Sequence, residues 1–318
     1  MRFDIAALSD IGRRKKRNED AYGLVLEGAD GVNLFKEGAL LCVADGLGGH
    51  LAGDIASKLA VSIVRDIVKE KPPSLEDYNE VTDKKDVGPL YLMRNAILRA
   101  NESIFTTNRD NGLLKNRPMG TTILSAVVEP KWVYVANVGD SRCYHIRGGE
   151  VIDFTEDHSW VDEQVKQGLM SKEEAESDSR RNIVTRCVGT REDIEIDTYR
   201  WNIVAGDILL LCSDGLVNMV PDKDILAEIK KDGTAADIAQ NLVQLANDNG
   251  GKDNITVIIA RINPKPSRMF YLRLRSIYRS YAGKALKLIL FILYGLICMG
   301  IGYLIGALNG KDLPLPPP

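Results

Sequence analysis

The 318-residue sequence is poor in the side chains that staple small domains or hold soft metals. Its five cysteines, Cys42, Cys143, Cys187, Cys212 and Cys298, are odd in number, lie mostly inside apolar runs and show no CxxC spacing. A disulfide framework and a thiolate metal site are both disfavoured, and a reducing compartment is expected. No cysteine stands six positions before an arginine, so a CxxxxxR thiolate nucleophile is excluded. Histidine is scarcer still: His50, His145 and His158 are the whole set, and none is paired at zinc-ligand spacing. A metal in this protein must be held mainly by oxygen, which points to magnesium, manganese or calcium. The glycine-rich run GLGGHLAG after Asp45 lacks a GxxxxGK pattern, and its GxGxxG spacing from Gly46 fails at Leu51. Met1 leads directly into a charged segment, so no N-terminal signal peptide is expected.

A net basic excess is confined to the C-terminal segment. Residues 263–318 carry eight Lys or Arg against the single Asp312, a net +7, which leaves −10 for residues 1–262 within the overall −3. An acidic globular part argues against a nucleic-acid footprint. Within the basic segment, Leu288 to Leu308 is uncharged and would span about 31 Å as a helix, close to the ~30 Å hydrocarbon core of a bilayer. The sequence therefore predicts a transmembrane helix over 288–308, a basic juxtamembrane linker over 263–287 and a short tail over 309–318. Lys265, Arg268, Arg273, Arg275, Arg279, Lys284 and Lys287 precede the span with no acid among them. They place the N-terminal domain on the cytoplasmic side of a single-pass C-terminal anchor. The same cations, interleaved with Phe270, Tyr271, Tyr278 and Tyr281, suit anionic lipid headgroups. Gly302 and Gly306 form a GxxxG spacing that can pack two such helices.

Residues 1–262 read as mixed strands and helices. Strands are expected at Ala39 to Ala44, Thr121 to Val128, Trp132 to Val138, Ile208 to Cys212 and Ile255 to Ala260, and helices at Ala52 to Val68, Leu90 to Thr106 and Ala235 to Asn247. Glu129-Pro130-Lys131 reads as a hairpin turn, hence antiparallel pairing. The segment Lys69 to Gly88, with Pro72 and Pro73, reads as a surface connection. One internal echo stands out: LLCVADGL at 40–47 is matched by LLLCSDGL at 209–216. Each apolar strand runs straight into Asp-Gly-Leu, so each sheet-like half would present one carboxylate at a strand end.

Other acids follow the same logic. Asp140 comes after Trp132 to Val138, while Glu19 and Asp20 precede an apolar run at Tyr22 to Leu26, and Asp253 precedes Ile255 to Ala260. In an antiparallel sheet the end of one strand lies beside the start of its neighbour, so both kinds of position share one edge. One Asp-Gly pair is an ordinary turn signal. Six carboxylates gathered at one edge would repel one another unless cations neutralised them. Gly46, having no side chain, lets its carbonyl approach such a cation, and Gly48 and Gly49 would turn the chain into the following helix.

Taken together, the motifs resemble the metal-dependent protein phosphatase family, also called protein phosphatase type 2C, in its bacterial form. The matching residues run in family order: Ser9-Asp10 with Gly12 and Asn18-Glu19-Asp20, Ala44 through His50, Gly120-Thr121-Thr122, Val138 through Arg142, Thr155 through Ser159, Cys212 through Leu216, and Asp253 through Thr256. The resemblance covers residues 3–262 and implies an α+β fold, a four-layer α-β-β-α sandwich of two antiparallel sheets flanked by helices. It also implies a binuclear Mg²⁺ or Mn²⁺ centre with a weaker third position. Asp45 would bridge the two ions, Gly46 would offer its carbonyl, Asp214 and Asp253 would hold the first ion, Glu19 with support from Asp20 would serve the second, and Asp140 with Asp214 would form the third.

The activity implied is hydrolysis of phosphoserine and phosphothreonine in proteins by metal-activated water, opposing a Ser/Thr kinase. An inactive homologue that binds phosphoproteins as a scaffold is the alternative. The sequence departs from the family pattern at two points. Lys15 stands three residues before Asn18, where the family has a phosphate-binding arginine, and lysine lacks the planar bidentate fork; Arg13, Arg14 or Arg17 are further candidates. Leu47 follows Asp45-Gly46 where eukaryotic members carry histidine, which leaves His50 as the candidate general acid, or a water on the metals in its place. His158 to Arg181 corresponds to a mobile flap beside the active site, and its charged, serine-containing GLMSKEEAESDSRR suits an exposed lid.

Overall fold

The computed structural model describes residues 1–26, 38–47, 51–70, 88–115 and 118–264. In chain order the first elements are β1 (Arg2–Asp10), β2 (Ala21–Leu26), β3 (Ala39–Ala44), β4 (Gly46–Leu47), α1 (Leu51–Glu70) and α2 (Gly88–Asp110). There follow β5 (Gly120–Thr121), β6 (Ile123–Val128), β7 (Trp132–Val138), β8 (Arg142–Arg147), β9 (Glu150–Phe154), α3 (Trp160–Lys166) and α4 (Lys172–Ser177). The last are β10 (Asp197–Asn202), β11 (Ile208–Cys212), α5 (Asp214–Val217), α6 (Asp222–Ile229), α7 (Ala235–Asp248) and β12 (Ile255–Asn263).

Two five-stranded sheets form, in the orders β1-β12-β11-β8-β9 and β10-β7-β6-β3-β2, and every pairing within them is antiparallel. The period-2 alternation of a strand decides what each side chain meets. In β3, Leu41 and Val43 join Leu124, Val135, Leu209, Leu211 and Ile258 in the core between the sheets. Leu40, Cys42 and Ala44 face the other way, against Ala60 and Val64 of α1 and Met93 and Ile97 of α2. On the opposite side Leu242 and Val243 of α7 cover Val257 and Ile259 of β12. Both faces of the central strands are therefore buried, which is why β3 reads as an unbroken apolar run and β6 as one interrupted only by the buried Ser125. The result is two antiparallel sheets flanked by helices.

The expected strands 39–44, 132–138 and 208–212 coincide with β3, β7 and β11, and the three expected helices lie within α1, α2 and α7. The turn at Glu129-Pro130-Lys131 closes the β6–β7 hairpin, with Glu129 N donating to Trp132 O at 2.8 Å. Two expectations need correction. The strand expected over Thr121 to Val128 is interrupted at Thr122, because Gly120–Thr121 leaves the sheet to pair with Gly46–Leu47. The strand expected to end at Ala260 continues to Asn263, drawn out by full-length pairing with β1.

The chain divides into two units, Met1–Asn263 and Pro264–Pro318. The predicted transmembrane helix at 288–308, the tail and all of the basic linker beyond Pro264 lie outside the described residues, as do 71–87 of the expected surface connection. Among the described residues no helix is long and apolar enough to cross a membrane.

Candidate metal centre

Strand register brings the acidic motifs to one end of the sandwich. In one sheet Ala44 stands opposite Ala21, so Asp45, just past β3, meets Glu19 and Asp20, just before β2. Ile123 stands opposite Val138, which sets Thr122 beside the segment leading to Asp140. In the other sheet Cys212 stands opposite Val257, so Asp214 lies near Asp253. The two sheet ends are tied together by Asp20, whose Oδ2 accepts from Ser213 Oγ at 2.8 Å and Thr256 Oγ1 at 2.6 Å, both in the opposite sheet.

The echoed Asp-Gly-Leu segments place one carboxylate from each sheet, but the chain departs from them differently. After Asp45 it forms the short strand β4, whereas Asp214 opens the single-turn helix α5 behind Ser213. Asp45 is pinned through its backbone. Its N–H donates to Thr122 Oγ1 at 2.9 Å, and its carbonyl accepts from Thr122 N at 2.9 Å and Thr121 Oγ1 at 2.8 Å. The Asp45 and Asp214 carboxyls are near enough for each to perturb the other's titration. Asn218 Nδ2 donates to Asp214 Oδ2 at 2.9 Å, while Asp214 Oδ1 and Asp20 Oδ1 are buried with no hydrogen-bond partner.

Burial, followed by repulsion among the acids, raises all four central carboxyls. Asp20 is pushed up to about 7 and Asp214 to about 6, and Asp45 and Asp140 rise well above the usual carboxylate range. Buried like charges facing one another with orphaned oxygens are the donor set that a hard cation satisfies.

A second cradle lies at the start of α1. A Cβ at Gly53 would stand 2.9 Å from Gly46 O and 3.2 Å from the carboxyl carbon of Glu19, while a Cβ at Gly46 would collide with Gly53 O and lie 2.6 Å from Glu19 O. Both glycines are required for this close approach of three backbone segments. Glu19 is held by its N–H donating to Asn254 Oδ1 at 2.8 Å and its carbonyl accepting from Ser57 Oγ at 2.5 Å. Among the described residues no three Asp, Glu, His or Cys side chains close around one point as they stand. A cation there would draw on single carboxylates, backbone oxygen and water, the manner in which Mg²⁺ is commonly held.

Lys15 reaches this end of the molecule, with its Nζ 2.5 Å from Asp253 Oδ1. Burial works against its charge, but Asp253, Asp45 and Glu19 outweigh that and hold its pKa above the ordinary lysine value. His50 lies outside the described residues. Residues that carry no role in the sequence reading complete the frame. Arg142 forks onto Asp157, Nε to Oδ1 at 2.8 Å and Nη2 to Oδ2 at 2.7 Å, and Asp157 in turn raises Asp140. Gly53 and Ser57 are also new. Their signal was the small-residue start of α1, legible only once Gly46 is known to pack there.

The flap segment carries two short helices. Ser159 caps α3 and Ser171 forms a capping box with Glu174 on α4. Leu169 and Ile183 are exposed apolar side chains in this region. The segment is fastened at its base by the Ser159–Val184 bridge, and further along by Val188, which bridges Thr121 next to Asp45.

The protein phosphatase 2C family model matches residues 13–257. The chain is 37% identical over 251 residues to the serine/threonine phosphatase Stp of Listeria monocytogenes, covering 79% of this chain and 92% of that protein. It is 34% identical over 262 residues to the protein phosphatase PhpP of Streptococcus pneumoniae, covering 82% and 98%. Among solved structures, the serine/threonine phosphatase of S. agalactiae superposes with a TM-score of 0.70 at 34% identity, covering 82% of this chain and all of that one. The catalytic domain of the phosphatase PstP, in complex with two manganese ions, superposes with a TM-score of 0.65 at 30% identity, covering 82% and 99%. With these likenesses spanning the whole sandwich and its acidic edge, the chain belongs to the protein phosphatase 2C family.

Proposed function

We infer that this chain is a protein serine/threonine phosphatase that hydrolyses phosphoserine and phosphothreonine with the help of Mg²⁺ or Mn²⁺. The observation that carries the reading is the convergence of Asp45 from one sheet and Asp214 from the other, with Asp214 Oδ1 and Asp20 Oδ1 buried there without a hydrogen-bond partner. Asp45, Asp214 and Asp253 would hold one ion. Asp45, the Gly46 carbonyl and Glu19, supported by Asp20, would hold the second, and Asp140 with Asp214 a third. When bound, such ions supply water activation and charge neutralisation for phosphoryl transfer to water.

The chain's own residues supply the rest. Thr121 and Thr122 lock the backbone of Asp45, so its carboxyl is presented without reorganisation. The basic turn Arg13 to Arg17, led by Lys15, neutralises the incoming phosphate. His50 is the proposed proton donor to the leaving alkoxide. The flap offers the exposed Leu169 to the substrate protein.

Residues 288–308 are proposed to anchor the enzyme in the membrane with the catalytic unit on the cytoplasmic face. The uncharged run and the cations before it support this. Tethering raises the local concentration of enzyme near membrane-associated phosphoproteins and a cognate kinase.

Phosphate release from a phosphothreonine peptide tests the reaction. Mn²⁺ or Mg²⁺ should be required, and Asp45→Asn or Asp214→Asn should each lower kcat/KM by about 100-fold or more. Activity that persists in excess chelator would refute the metal mechanism.

A further inference from the structure

Lys15, besides its place in the phosphate-facing turn, is paired with a carboxylate of the protein itself. The turn that carries it is fastened to the segment that carries Asp253. Arg13 N and Arg14 N donate to Gly251 O at 2.8 and 3.2 Å, and Asn254 Nδ2 donates to Ile11 O and Arg17 O, each at 2.9 Å. Gly12, at φ 80°, packs so tightly that a Cβ would strike the Asp253 carbonyl. This framework delivers the Lys15 ammonium to Asp253 Oδ1 at 2.5 Å, the same oxygen that accepts from Asn254 N at 2.8 Å. Both side chains remain over a third exposed, 40% and 37%, so the ammonium has room to withdraw.

We propose that Lys15 is a built-in competitor for the cation site, a positioning residue that occupies the Asp253 carboxylate and is displaced when a divalent ion binds. The inference rests on the phosphatase reading, in which Asp253 is a metal ligand. A fixed positive charge on a ligand carboxylate opposes a second cation there, both by holding the oxygen and by direct repulsion. The consequence is a site tuned to load at higher metal concentration than its carboxylates alone would set.

Calorimetric titration of Mn²⁺ into the full chain provides the test, with four proteins compared: wild type, Lys15→Gln, Lys15→Arg and Arg14→Gln. Lys15→Gln should bind Mn²⁺ about tenfold more tightly. Lys15→Arg, which keeps the charge, should stay within about twofold of wild type, and Arg14→Gln, a neighbouring cation of the same turn, should shift affinity by no more than about twofold. The direction is diagnostic, since damage to the turn would loosen metal binding and lower the melting temperature in chelator. Unchanged or weaker binding by Lys15→Gln would overturn the proposal, as would equal tightening by Arg14→Gln. Absence of Mn²⁺ binding in wild type and Lys15→Gln alike would instead remove the metal site itself.

Discussion

At the scale of single residues, the acidic edge depends on groups that hold its backbone as much as on the acids. His158 is one. It is buried, its Nδ1 accepts from Gly139 N–H at 3.0 Å, and its Nε2 lies 3.2 Å from Asp197 Oδ2. Burial lowers its pKa despite the opposing pull of Asp197. The folded protein thus binds fewer protons at this site than the unfolded chain. Its contribution to stability is complete above the unfolded value of 6.5 and is lost as pH falls from there through the folded value. Protonation would also remove the acceptor for Gly139, next to Asp140. Melting temperature should therefore fall between pH 7 and pH 5, and the slope should be shallower in His158→Gln. Equal slopes in the two proteins would assign the acid sensitivity elsewhere.

At the scale of elements, strand ends position the chemistry and glycines let those ends meet. Gly46 begins β4 within reach of both Gly53 and Glu19, so Gly46→Ala has to push α1 away from the Glu19 segment. A loss of about 2 kcal/mol in stability is expected from such overpacking, together with a weaker response of melting temperature to added Mn²⁺. Denaturant melts with and without the ion would measure both; a variant as stable and as metal-responsive as wild type would mean that the close approach is dispensable. The elements most legible in the sequence were those buried on both faces or strongly amphipathic, namely β3, β7, β11, α1 and α7. The edge strand β9 was not. Its exposed Ile152 and Phe154 alternate with half-buried Val151 and Asp153, so it lacks a clean apolar signal. Strand β1 escaped notice because none of its nine residues is fully buried, although it pairs with β12 along its whole length.

At the scale of the whole molecule, Met1–Asn263 forms one compact unit that contains every described candidate site residue. A protein ending at Asn263 should keep the melting temperature and kcat of the full chain on a soluble phosphopeptide, while losing the membrane association proposed for residues 288–308. Fractionation of cells expressing each form would check the second part; a truncated form that still pellets with membranes would move the anchor into the catalytic unit.

The kind of chemistry was legible in the order of the residues. With no cysteine or histidine constellation and with acids after or before apolar strands, only oxygen-held cations fit, and ordered motifs such as Val138 through Arg142 named the family. Which acids face each other depends on how the two sheets pack. Asp45 and Asp214 stand 169 positions apart in the chain and meet because two separately registered sheets pack face to face, with Asp20 bonded to Ser213 and Thr256 across the gap. The pairing of Lys15 with Asp253 was equally invisible in one dimension. It follows from backbone hydrogen bonds between two loops remote in sequence, and no local propensity encodes such contacts.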